Sequence, residues 1–182
     1  MTIAVTGATG FLGSALTTEL VKSRQAVRLL ARDEKKAHRQ FGDAVTIVAG
    51  EITNRAQVEQ VIDGATTIYH LAGRLYHPGI PAERYSQTHV EGTRILLEAC
   101  RGQAQLRRIV HVSTTGDVFT ILPGMKGERA PLTRSRVKFL TNSRVYDISR
   151  ARSELAYMPS VELEEGMQRT AAWYRKHHYL DH

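Results

Sequence analysis

The stretch that decides the fold is Thr6-Gly7-Ala8-Thr9-Gly10-Phe11-Leu12-Gly13. It follows a short apolar run over residues 2–6 and opens an amphipathic run over 11–23. In that frame each glycine has a distinct task. Gly7 permits a tight turn, Gly10 lets backbone approach a pyrophosphate, and Gly13 lets a helix pack close to a sheet. The N-terminus of such a helix offers N–H donors and a positive partial charge to phosphate groups. The turn therefore predicts a dinucleotide site at the first strand–helix junction.

The frame extends outward from this turn. Apolar runs at 2–6, 26–31, 45–49, 66–70 and 108–112 predict five strands. Amphipathic runs at 11–23, 33–41, 55–62 and 83–100 predict the helices between them. Phe11, Leu12, Ala15, Leu16 and Leu20 form an apolar stripe at helical spacing, as do Val90, Thr93, Leu96, Leu97 and Cys100. Strand–helix alternation at this spacing implies βαβ units and a doubly wound parallel sheet of the Rossmann type, in the order 3-2-1-4-5. After residue 112 the pattern breaks into a glycine- and proline-bearing loop. Short helices are then expected over 133–141, 148–157 and 161–177. The expected organisation is a dinucleotide-binding domain over 1–119, a connecting loop over 120–132, and a short C-terminal helical tail over 133–182 packed on the same domain.

Composition narrows the classes. The chain has 182 residues, 42% hydrophobic and 24% charged, the balance of a folded globular protein. No run reaches the roughly 18 apolar residues of a membrane span. A single cysteine, Cys100, excludes an internal disulfide framework, and its place on an apolar helix face reads as core. The chain opens on a strand without a signal-like segment, which reads as cytoplasmic. The net charge is +7, and residues 126–152 hold eight basic and only two acidic side chains. That stretch lacks interleaved aromatics, so a solvated surface is favoured over a nucleic-acid site. The histidines are scattered over different elements, so no metal site is expected.

The end of the second strand selects the cofactor. It reads Leu29-Leu30-Ala31-Arg32-Asp33. A carboxylate there would hold ribose hydroxyls of NAD, whereas Arg32 suits the 2′-phosphate of NADP. Arg32 comes first and Asp33 one place later, so NADP is favoured over NAD.

These segments together resemble the extended short-chain dehydrogenase/reductase family, the NAD(P)-dependent epimerase/dehydratases. Gly50-Glu51-Ile52-Thr53 resembles the family's Gly-Asp-hydrophobic-Thr element, with Glu51 in place of the aspartate that reaches adenine. His70-Leu71-Ala72-Gly73 resembles the fourth-strand element beside the cofactor. His89-Val90-Glu91-Gly92-Thr93 resembles Asn-Val-x-Gly-Thr, with His89 where asparagine is usual. Val112-Ser113-Thr114-Thr115 resembles the end of the fifth strand, and Thr115 takes the place of the active-site hydroxyl. The resemblance implies a cofactor site built from Gly7, Thr9, Gly10, Phe11, Leu12, Gly13, Arg32, Glu51, Ile52, Leu71, Ala72 and Gly73. Pro131-Leu132-Thr133, the run 150–159 and Leu163-Glu164-Glu165-Gly166 resemble the family's C-terminal helices. The long segment that normally separates the two blocks is nearly absent, which implies an internally shortened member.

That shortening bears on chemistry. The family's acid/base is a tyrosine whose pKa a nearby lysine lowers, in a Tyr-x-x-x-Lys pattern. No Tyr-x-x-x-Lys occurs in the 182 residues. Tyr146-Asp147-Ile148-Ser149-Arg150 is the nearest run, with arginine for lysine, and it leads directly into the tail signature. The leading expectation is a dinucleotide-binding protein without confirmed catalytic residues. Two alternatives stand beside it: a minimal NADP-dependent oxidoreductase using Tyr146 and Thr115, and a regulatory or assembly module that binds a dinucleotide. Loss of the usual next helix should leave apolar surface on one face, so a homo-oligomer, simplest as a dimer, is expected.

Overall fold

The computed structural model describes residues 1–75, 77, 79–113 and 145–176. The chain divides into two compact units, Met1–Pro123 and Gly124–His182. The expected helix over 133–141, the Thr115 hydroxyl and the basic positions from Lys126 to Arg144 lie outside the described residues.

The first unit runs β1 (Thr2–Thr6), α1 (Phe11–Lys22), β2 (Ala26–Ala31), α2 (Glu34–Phe41), β3 (Thr46–Ala49), α3 (Arg55–Ile62), β4 (Ala65–His70), α4 (Ala82–Ser86), α5 (Gly92–Cys100) and β5 (Arg108–His111). The five strands are all parallel and lie in the order β3-β2-β1-β4-β5. This is the expected doubly wound sheet. Alternate residues of a strand face opposite sides, and β1 shows it. Ala4 joins Leu30, Val58, Ile62, Ile68 and Leu96 under α3 and α5. Ile3 and Val5 join Val27 and Leu29 on the other face, where Leu20, Val21 and Phe41 of α1 and α2 cover them.

Local chemistry sets the helix starts. Asp33 caps α2 by accepting the Lys36 N–H at 2.8 Å. Asn54 caps α3 by accepting the Gln57 N–H at 3.2 Å. Each saves a donor that the first helical turn cannot pair internally. Between α4 and α5 the run does not break. Residues Gln87–Glu91 form a π-helical turn, so 82–100 is one continuous helical rod with a wide turn in its middle.

Two expected apolar stripes are corrected. On α1 the buried residues are Gly13 and Thr17, whereas Phe11 and Leu12 are 57% and 58% exposed. At Gly13 the helix lies directly on the turn before it, where a Cβ would stand 2.1 Å from the Gly7 carbonyl oxygen. On the second stripe, Leu96 is buried but Val90 and Leu97 are exposed, and Gly92, Ile95 and Ala99 pack inward with it. Gly92, Ile95, Leu96 and Ala99 form one face of α5 and Leu97, one position past Leu96, lies off it, whereas Val90 belongs to the π turn itself.

In the second unit, α6 spans Ser149–Leu155 and α7 spans Leu163–Lys176. No helix among the described residues is long and apolar enough to cross a membrane.

Candidate functional site

A cleft of about 630 Å3 opens at the carboxyl ends of β1, β2 and β4, where ligands bind in open parallel sheets. Of the residues expected at the site, Gly7, Thr9, Gly10, Arg32, Glu51, Ile52, Leu71, Ala72 and Gly73 line it. Phe11, Leu12 and Gly13 do not. The first two lie on the exposed first turn of α1, and Gly13 is buried beneath the glycine turn.

The turn is built without room for side chains. Gly7 has φ +75°, a conformation L-residues rarely adopt. A Cβ there would meet the Leu71 carbonyl carbon and oxygen at 2.5 Å and the Ala72 nitrogen at 2.6 Å. The β1 turn and the β4 loop are thus in backbone contact. No side chain caps α1 at Gly10, so its first turn presents N–H groups that the helix itself cannot pair. That is an anion cradle in shape and in polarity.

Each side of the cleft has its own support. The Gln57 amide oxygen accepts the Glu51 N–H at 2.9 Å, and its side chain fills the space a Cβ on Gly50 would need. Ile52 is buried against Gly92, where a Cβ would come within 2.6 Å of its Cγ2. Gly50 and Gly92 therefore serve packing around the site.

Beneath the cleft runs a directed chain of hydrogen bonds. The Thr93 hydroxyl donates to the His89 carbonyl at 2.7 Å. Its single proton is then spent, so it accepts from His70 Nε2–H at 3.1 Å. His70 Nδ1 is left bare and accepts the Thr6 hydroxyl at 2.7 Å. The Thr6 oxygen in turn accepts the Ala72 N–H at 3.3 Å. His70 is 1% exposed. Burial first, then the nearby His111 and His89, pull its pKa down from 6.5 to about 4. The neutral ring ties β1, β4 and α5 together under the glycine turn.

Electrostatics differ along the cleft. Arg32 and Lys36 stand at the β2 end, and Arg74 and Arg84 at the β4 end. The acids of the lining are Asp33 and Glu51, and Asp33 is engaged as the α2 cap. Lys36, Arg74, Arg84, Gln87 and Thr88 are lining residues that sequence reasoning missed. Their signal was weak because single cations after a strand end or in a helix look like ordinary surface.

The oxidoreductase alternative rests on Tyr146 and Thr115. Tyr146 precedes α6, on a stretch without regular structure, and Asp147 there accepts both the N–H and the hydroxyl of Ser149. Thr115 lies outside the described residues. Among the described residues no cluster of His, Cys, Asp or Glu could hold a metal.

Comparison with known proteins follows the same lines. The model of the NAD dependent epimerase/dehydratase family matches residues 3–156. Sterol demethylase protein B of Methylococcus capsulatus is 32% identical over 118 residues, 65% of this chain and 36% of that protein. The 2-alkyl-3-oxoalkanoate reductase of Shewanella oneidensis is 31% identical over 117 residues, 63% of this chain and 29% of the reductase. The chain thus matches about a third of these relatives' length. Among solved structures, a short-chain dehydrogenase/reductase superfamily protein from Agrobacterium tumefaciens with bound NAD superposes with a TM-score of 0.54 at 28% identity. That match covers 63% of this chain and 33% of the other.

Proposed function

Since the chain belongs to the NAD dependent epimerase/dehydratase family, we propose that it binds NADP(H) in the cleft between the glycine turn and the β2 end. It does so as a binding module and not as a complete catalyst. When bound, the nicotinamide supplies a site for hydride transfer. The protein's own part is to cradle the phosphates on the α1 N-terminus and to fix the adenosine end beside Arg32, Lys36 and Glu51.

One observation carries the preference for NADP. Asp33, the carboxylate that would favour NAD, is turned to the Lys36 N–H at 2.8 Å as a helix cap. Arg32 and Lys36 meanwhile line the cleft at the same strand end. A 2′-phosphate would find two cations there, beside a carboxylate with one of its two oxygens engaged in the helix cap. The reading as a binding module rests on the sequence, which holds no Tyr-x-x-x-Lys, and on Tyr146, which stands before the start of α6. The same reading includes a homodimer, to which the part-exposed Leu97 and Ile109 would contribute apolar surface.

Calorimetric titration tests it. NADPH should bind at least ten-fold more tightly than NADH, and Arg32→Ala should remove about ten-fold of that preference. Asp33→Ala should lower stability by about 1 kcal/mol through the lost cap and leave the preference intact. Equal binding of both dinucleotides, or a preference that survives Arg32→Ala, would overturn the assignment.

A further inference from the structure

We propose that Arg74 is the second jaw of the phosphate site. Its guanidinium takes the ligand's pyrophosphate from the side opposite the α1 N-terminus, and His89 holds it there. The assignment rests on the dinucleotide reading above and names a residue that the reading did not use.

Three observations converge on Arg74. First, its position is fixed next to the glycine turn. Arg74 follows Gly73 in the loop that leaves β4, and that loop touches Gly7 through the Leu71 and Ala72 backbone. Second, its backbone is gripped. His89 Nε2 lies 3.1 Å from the Arg74 nitrogen and 3.1 Å from the Arg74 carbonyl oxygen, and makes one hydrogen bond there, accepting from the N–H or donating to the carbonyl according to its tautomer. Gly73 makes this approach possible, since a Cβ there would stand 3.1 Å from the His89 ring. Third, its side chain has unmet chemistry. Arg74 lines the cleft, and its Nε is buried with no hydrogen-bond partner among the described residues. No carboxylate among the described residues forms an ion pair with it.

The Nε is closed off from the cleft as well as unpartnered, so the donors a ligand would meet are the outer nitrogens of the half-buried guanidinium, which lines the cleft. The acceptor that fits is an oxyanion. A guanidinium fork matches phosphate oxygens, and the neighbouring wall already offers helix N–H groups to the same charge. The carboxylates of the cleft lining belong to the β2 and β3 ends, at Asp33 and Glu51. Nothing of negative charge in the lining competes at the β4 end. Arg84 is less suited to the task, because it is exposed on α4 and carries no such orphan atom.

Fragments of the dinucleotide separate the two ends of the cleft. ADP carries the pyrophosphate and no 2′-phosphate, whereas 2′-AMP carries the 2′-phosphate and no pyrophosphate. With the full chain, Arg74→Gln should weaken NADP+ and ADP by about ten-fold each and change 2′-AMP by less than two-fold. Arg74→Lys keeps the charge and loses the fork, and should fall between. His89→Ala should reproduce the pattern with smaller losses. A merely structural role for Arg74 would weaken all three ligands alike. An Arg74→Gln protein that binds ADP as well as the parent, or loses 2′-AMP in proportion, overturns the assignment. Should the parent protein bind none of the three, the dinucleotide reading itself falls and this one with it.

Discussion

Ile68 and Ile109 are partners in register on β4 and β5, on the same face of one parallel sheet. Ile68 is fully buried, whereas Ile109 is 37% exposed. Residue type, strand direction and sheet face are the same for both. What differs is the neighbourhood. β4 lies between β1 and β5, and its Ile68 packs with Leu96 and Ile62 of the helices above. β5 pairs only with β4 among the described residues. The glycine turn, the His70 chain and the cleft all belong to the closed part of the sheet. Apolar sequence gives a strand the capacity to bury surface, and its neighbours decide how much of it is buried.

This contrast can be broken at several points. The largest effect is expected where backbone meets backbone. Gly13→Ala places a Cβ 2.1 Å from the Gly7 oxygen. It should cost roughly 4 kcal/mol and abolish dinucleotide binding. Denaturant unfolding and calorimetry would show both, and a variant that keeps near-parental stability would mean that α1 can lift from the sheet.

The isoleucine pair comes next. Ile68→Ala should cost about 3 kcal/mol, as large-to-small changes do in full burial, and Ile109→Ala about 1 kcal/mol. Equal costs would show that the β5 face is covered in solution. They would make the homodimer the first thing to look for by light scattering, where a monomer at micromolar concentration counts against it.

The smallest effect is graded by pH. The His70 pKa is about 4 in the fold against the ordinary 6.5 of a histidine. The unfolded chain therefore binds the proton first, and stability is full above about pH 6.5. It is lost as pH falls toward 4, by up to about 3 kcal/mol. Guanidinium unfolding at pH 7, 5.5 and 4 should follow this slope, and His70→Gln should flatten it. An unchanged midpoint across that range would mean that the ring accepts a proton without leaving its site.

Much of the closed region was legible from local rules. The strand boundaries at 2–6 and 26–31 and the helix at 55–62 are as the sequence reading placed them. Alternating apolar residues and capping side chains act within a few positions of the chain. Nine of the twelve expected cofactor residues share one cleft, because glycines and strand ends mark a turn wherever they occur. The misses have a common cause. Of the apolar stripe on α1, Leu20 packs on the core, yet Phe11 and Leu12 are exposed and Gly13 and Thr17 face the sheet, because Gly13 brings the helix too close for larger side chains at that point. The helix expected over 83–100 carries a π turn at Gln87–Glu91, and Val90 and Leu97 of its expected stripe are exposed. Arg74 passed unremarked because its meaning depends on His89, fifteen residues later, closing on its backbone.

By itself, the sequence determined the alternation of strands and helices, the place of the phosphate-binding turn and the family. Each of these rests on periodicity or on residues a few positions apart. Only the tertiary structure decided that Asp33 caps a helix, that His70 is held as a neutral ring between two threonines, and that Arg74 brings its guanidinium to the cleft. Those outcomes depend on which distant atoms come within about 3 Å of one another, and that is set by packing across the sheet.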